Sequence, residues 1–262
     1  QEEEPAEDLE EYTLPSDGMI IRQMEKKGKV NRRTWFALAL MLLVVPLLLY
    51  LSVRFFHGRK YLICSLIVIV AAMLPFFMMF EGRKPKAREI MVISVLAAIG
   101  VAGRAAFFMV PSFKPVAAIV ILTGVSFGGE AGFLVGCLIM MLSNMFMGQG
   151  PWTPWQMFSF GLLGFISGLL SRKGIIKAEK PLGAAIAGFV MMVAMVGPLL
   201  DTCTVFTMAQ MLNRESVLAI YLSGIPVNVS QGIAVFLCVL LLSRPISEKL
   251  NRIKTKYGMM ET

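Results

Sequence analysis

Long apolar runs dominate this chain, broken at intervals by short stretches that carry charge, glycine or proline. Runs of about 18 to 22 residues with little or no charge are long enough to cross a hydrocarbon core about 30 Å thick. Apolar segments at roughly 35–53, 61–80, 90–109, 115–127, 131–147, 155–171, 182–201 and 217–243 predict about eight transmembrane spans, the fourth a short one. The residue alternation of an outer-membrane barrel strand is absent, so the spans are read as helices, which satisfy their own backbone groups in lipid. The fold class is an all-α membrane protein.

The breaks divide the chain. Residues 1–33 form a polar tail, acidic at the start (Glu2, Glu3, Glu4, Glu7, Asp8). It lacks the apolar core and cleavage site of a signal peptide, and with no initiating methionine the chain is expected to be trimmed. A transmembrane hairpin follows over 34–81, then a charged, proline-containing linker at 82–89. A continuous six-span unit occupies 90–243 and a basic tail 244–262. No internal repeat is visible.

Composition sharpens the class. Of 262 residues, 56% are hydrophobic and 16% charged, and the mean hydropathy is +0.71. That is too apolar for a soluble domain of this length. The net charge of +8 does not point to nucleic acid, because the basic residues flank the apolar segments. Lys26, Lys27, Lys29, Arg32 and Arg33, then Arg83, Lys84, Lys86 and Arg88, then Arg172, Lys173, Lys177 and Lys180, then Arg244, Lys249, Arg252, Lys254 and Lys256 fall on one set of flanks. The alternate loops hold Arg54, Arg59, Lys60, Lys114 and Arg214. The positive-inside rule puts both termini in the cytoplasm, as an even number of spans requires, with the Arg54–Lys60 loop running against the trend. The turns near Pro111–Pro115, Gly148–Trp155 and Asp201–Ser216 then lie on the outer face.

Cys64, Cys137, Cys203 and Cys238 are scattered without metal-ligand spacing and read as small core residues. A single histidine, His57, cannot build a zinc site or most catalytic dyads, and no HExxH sequence occurs. An intramembrane enzyme is therefore disfavoured. No P-loop sequence appears, so any nucleotide hydrolysis must come from other subunits.

The stretch from Ser143 to Gln156 concentrates candidate chemistry. It packs amides, two tryptophans and two prolines between two apolar segments and reads as an irregular turn. Asn144, Gln149 and Gln156 offer donors and acceptors without a charge. Trp152 and Trp155 offer flat apolar surface, although tryptophan is common at any membrane interface. Arg104 and Asp201 are the two charges at the ends of otherwise apolar runs, which makes them functional candidates; direct pairing between them is open. Lys114 lies between Pro111 and Pro115. The sequence Ser223–Asn228 is expected to break the last span, where Asn228, Ser230 and Gln231 serve either backbone repair or ligand binding.

Small residues recur every four positions. Ala98, Ala102 and Ala106 do so on the third span, Gly132 and Gly136 on the fifth, Gly164 and Gly168 on the sixth, Ala184 and Gly188 on the seventh. Such stripes let helix backbones approach closely in lipid. Packing within one bundle is the simpler reading of each; docking on another subunit is the sharper one.

In order, Ala97–Phe107, Pro111–Pro115, Leu122–Gly124, Gly132–Gly136, Ser143-Asn144 and Gly148–Gln156 resemble the substrate-binding S components of energy-coupling factor (ECF) vitamin transporters. The resemblance covers about residues 90–243 and leaves the two preceding spans as an addition. It implies a six-helix bundle that captures a vitamin or related micronutrient at the outer face of the cell membrane. A transmembrane coupling subunit and two ATP-binding subunits are the implied partners. It also implies that Ala98, Ala102 and Ala106 contact the coupling subunit, and that the loops at Val110–Pro115 and Gly148–Trp155 close the pocket. The expected substrate-binding residues are Arg104, Lys114, Asn144, Gln149, Trp152, Trp155, Gln156, Asp201 and Asn228. A corrinoid is the first expectation for the substrate, with riboflavin, queuosine precursors, pantothenate and folate open. The alternatives are a structural or assembly membrane protein, which binds no ligand, and a solitary facilitator without ATPase partners.

Overall fold

Several helix ends in this chain are set by glycine or proline. In the computed structural model the described residues are 47, 60–82, 87–110, 113, 115–176, 180–208 and 213–257. The polar tail, the first predicted span apart from Leu47, and Lys114 lie outside them. Every described element is helical. In chain order these are α1 (Lys60–Gly82), α2 (Ala87–Ala106), α3 (Val116–Phe127), α4 (Gly129–Met147), α5 (Trp152–Arg172), α6 (Pro181–Met191), a π-helical turn (Met192–Val196), α7 (Gly197–Met208) and α8 (Arg214–Tyr257). Among the described residues, four stretches are long and apolar enough to cross a membrane: Ala87–Ala106, Gly129–Met147, Pro181–Thr207 and Arg214–Leu250.

Two predicted boundaries differ. The stretch Ser143–Gln156 is mostly helix, since α4 runs to Met147 and α5 begins at Trp152. Only four residues, 148–151, separate them. Gly148, at φ 113°, ends α4 in a conformation that costs other residues most. Pro151 and Pro154 sit where a helix start has no intrahelical acceptor for its first N–H groups, so neither obstructs α5. The second difference is in α8, which continues through Pro226 instead of breaking there. Proline removes one backbone hydrogen bond, and the flanking turns carry the helix across that gap. At the other end α8 extends past the predicted span, because Ile246, Leu250 and Ile253 prolong its apolar stripe against the core.

The tightest packing joins α3, α4 and α5. A Cβ built on Gly132 would lie 2.7 Å from both the Gly164 carbonyl oxygen and the Gly124 Cα, and one on Gly136 would lie 2.6 Å from the Phe160 carbonyl carbon. No side chain fits at these distances, so glycine is what allows the three backbones to touch. Ser171 adds a cross-helix bond, its Oγ donating to the Val125 carbonyl at 3.3 Å. Ala184 and Gly188 on α6 are likewise buried, Gly188 facing Ile121, Val235 and Val239. These three stripes pack within the bundle.

The alanine stripe of α2 behaves differently. Ile93, Leu96, Ala97 and Gly100 turn inward, while Ala98, Ala102 and Ala106 are exposed on the far face with Met91, Val95 and Ile99. On the other flank α1 packs into the bundle. Ile69, Ala72 and Met73 are buried with Phe133, Phe165 and Phe206, and Phe77 meets Phe133 edge-on at 6.0 Å.

Candidate functional site

At the Arg104 end of the bundle, the helices enclose a half-open cavity of about 90 Å³. Each helix from α2 to α8, except α6, contributes to its wall; between α6 and α7 the π turn does so through Met192. Arg104, Gln156 and Gln231 are the polar lining residues, and Met140, Phe160, Leu200 and Val235 form much of the apolar remainder.

The polar wall is a connected network. The Arg104 guanidinium Nη1 donates to Ser143 Oγ at 2.5 Å, to Asn144 Oδ1 at 2.9 Å and to Met140 Sδ at 3.4 Å. Asn144 passes the chain on, its Nδ2 donating to Gln156 Oε1 at 2.9 Å and Thr153 Oγ1 at 3.1 Å. Thr153 also accepts from the Gly150 backbone N–H at 3.4 Å. Ser143, Asn144 and Thr153 are buried, so their polar atoms must be satisfied within the protein. The network ties the end of α2 to the end of α4 and the start of α5.

A second polar group joins α7 to α8. Asn228 Nδ2 donates to Asp201 Oδ2 at 2.7 Å, and the Thr202 and Tyr221 hydroxyls are 2.6 Å apart. Gly197 faces the Asn228 amide and Gly224 the Asp201 carboxylate, and a Cβ at either would collide with it. Arg104 and Asp201 do not pair with each other, because each is held by an amide on its own side.

The predicted site residues therefore separate. Arg104 and Gln156 line the cavity, and Asn144 stands behind them as the link. Trp155 is fully buried away from the cavity, its ring stacked at 5.8 Å on Phe206 in the cluster shared with α1. Trp152 is 41% exposed and lies over Gly150, forming the surface of the turn. Gln149 is exposed and donates to the Met141 carbonyl at 3.3 Å. Asn228 is buried one turn from Gln231, with its amide turned to Asp201.

Sequence reasoning had not placed Met192 and Leu200 in the wall. Eight residues apart, they would diverge by about 80° on an uninterrupted α-helix. The π turn between them takes up an extra residue and brings both to the cavity. Pro198, which has no N–H to return to the preceding turn, is the second residue after it. Gln231 did carry a legible signal, three residues after Asn228 on the same helical face.

A family model described as "ECF-type riboflavin transporter, S component" matches residues 84–248, more than half of the chain. Helix α1 lies outside the matched residues. A UPF0397 protein of Vibrio atlanticus is 33% identical over 104 residues, which are 37% of this chain and 57% of that protein. UPF0397 proteins of Aliivibrio fischeri and Aliivibrio salmonicida are each 35% identical over 88 residues, 32% of this chain and 48% of theirs. The chain spans about half the length of the curated relatives it matches. No solved structure matches it. The chain belongs to the family of ECF-type riboflavin transporter S components, which are transport subunits and not enzymes.

Proposed function

We propose that this protein is the substrate-capture subunit of an ATP-driven ECF importer in the cell membrane, with both termini cytoplasmic and the Arg104 end facing outward. The observation that carries the reading is the cavity, which gathers a guanidinium and two amides among apolar and aromatic walls near one end of a membrane bundle. Arg104 and Gln156 contact the substrate directly, and Asn144 holds them in place. Gln149 and Trp152 belong to the rim, Lys114 is proposed as a further substrate contact, and Asp201 with Asn228 brace the opposite wall. Trp155 supports the site from behind.

The cavity of about 90 Å³ is smaller than the roughly 300–1,000 Å³ of occupied small-molecule sites. Capture then requires the α2–α3 connection and the 148–151 turn to move outward and close over the ligand. The exposed face bearing Ala98, Ala102 and Ala106 supports docking on a coupling subunit, which in turn carries two ATP-binding subunits. ATP hydrolysis on those partners then drives release after docking.

The substrate class is a vitamin with hydrogen-bond acceptors on a flat heterocycle or on amide arms. The description of the family model supports riboflavin, and the amide-rich wall also suits a corrinoid. Mass spectrometry of ligand co-purified with the detergent-extracted chain, followed by titration with riboflavin and cyanocobalamin, tests this. Saturable binding of either at one site is expected. Absence of any co-purified small molecule, with no binding of either vitamin, overturns the capture reading.

A further inference from the structure

The hydrogen-bond network fixes which end of Gln156 faces the cavity, and so the chemistry the cavity accepts. We infer that Asn144 is a specificity-determining positioning residue that gives this cavity a donor-only face. The inference rests on reading the cavity as the substrate site. Amide orientation is decided by partners, and here one partner leaves no choice. The Arg104 guanidinium can only donate, so the Asn144 atom 2.9 Å from it is the oxygen. The Asn144 nitrogen therefore points the other way, to Thr153 and Gln156. Gln156 must meet that nitrogen with its oxygen, which leaves Gln156 Nε2 as its free end.

Both polar groups of this wall then offer hydrogen, Arg104 with a positive charge and Gln156 without one. No carboxylate is among the residues lining the cavity. A ligand group set against the Arg104–Gln156 wall must present acceptors, as a carbonyl, carboxylate or phosphate does, and a cation is repelled there, whereas the Gln231 amide on the α8 side of the cavity can also accept. Reversing Asn144 reverses Gln156. In Asn144→Asp the carboxylate accepts from Arg104 and from Gln156 Nε2, and the Thr153 hydroxyl turns to donate. Gln156 Oε1 then faces the cavity. Gln156→Glu reaches a similar outcome directly: one oxygen keeps the bond to Asn144 Nδ2 and the other enters the cavity. Both changes are close to isosteric.

The test uses the full chain in lipid nanodiscs, with 15N-labelled asparagine and glutamine side chains and Gln156→Ala for assignment. In the unsubstituted protein the Gln156 NH2 protons should exchange with water at least about tenfold faster than those of Asn144, since only the latter are bonded in a buried site. In Asn144→Asp the Gln156 protons should become protected by a similar factor. A Gln156 amide that is protected in the unsubstituted protein, or unchanged in Asn144→Asp, overturns the inference. In parallel, riboflavin, cyanocobalamin and thiamine are titrated. Whichever of the first two binds should lose at least about tenfold in affinity in both variants, as expected when a donor facing a buried acceptor is replaced by an acceptor. Unchanged affinity, or tighter binding of the thiamine cation to the unsubstituted protein, also overturns it. If none of the three binds, the exchange result alone decides the orientation, and the capture reading is what falls.

Discussion

Two sets of small residues at four-residue spacing do opposite things in this molecule. The glycines of α4 and α5 meet inside the bundle, where Gly132 and Gly164 bring backbones into direct contact. The alanines of α2 point away from it, and Ala98, Ala102 and Ala106 are exposed. The spacing is the same, so spacing cannot say which stripe is internal. The difference lies in how close an approach each permits. Glycine admits another backbone at a distance where even a methyl collides, and such a seam must form in the isolated chain. An alanine stripe beside Met91, Val95 and Ile99 is a shallow, smooth surface that a second protein can cover without any demand from the first.

Substitution should separate the two stripes sharply. Gly164→Leu puts a branched side chain into the backbone contact between α4 and α5. It should cost on the order of 3 kcal/mol or prevent folding, read as loss of monodisperse protein and of the thermal unfolding transition. Survival of a near-normal transition would mean the seam is not what holds these helices together. Next in size is Trp155→Ala, which removes a fully buried ring from the cluster joining α1 to α5 and α7. About 3 kcal/mol of destabilisation is expected, whereas Trp152→Ala, at the exposed turn, should change stability by no more than about 0.5 kcal/mol. Equal effects at the two positions would contradict their different burial. The smallest effect on the isolated chain belongs to the double change Ala98→Leu and Ala102→Leu. Stability should stay within about 0.5 kcal/mol and vitamin affinity should not change, while co-purification with the coupling subunit should be lost. Destabilisation comparable to that of Gly164→Leu would place this stripe inside a packed interface and erase the contrast.

The starts of the described helices from the second predicted span to the eighth were legible to within three residues, because an apolar run of membrane length has few other structures open to it, whereas the last two helices run well past their predicted ends. Gly128, at φ 94°, ends α3 in the short gap between the fourth and fifth predicted spans. Site residues were harder to assign. Arg104, Asn144 and Gln156 are joined by short hydrogen bonds, a link between α2 and the 143–156 stretch that no local pattern specified. The two tryptophans looked interchangeable in sequence, separated by Thr153 and Pro154. Because they occupy the first turn of α5, three residues apart, small differences in helical phase send one to the surface and one into the core. The expected break at Pro226 did not form, since one missing hydrogen bond is a modest loss in a helix of 44 residues.

What the sequence alone determined is what each helix is: where it begins, its apolar character, its small-residue stripes and its polar ends. These follow from the composition of one segment and the period of one helix. The tertiary structure decided which stripe finds a partner, which nitrogen of the Asn144 and Gln156 amides is free, and that Met192 and Leu200 share a wall across a π turn. Those outcomes depend on the distance and phase between helices, and on a donor-only guanidinium brought beside an amide 40 residues away in the chain. No periodicity within a single segment contains that information.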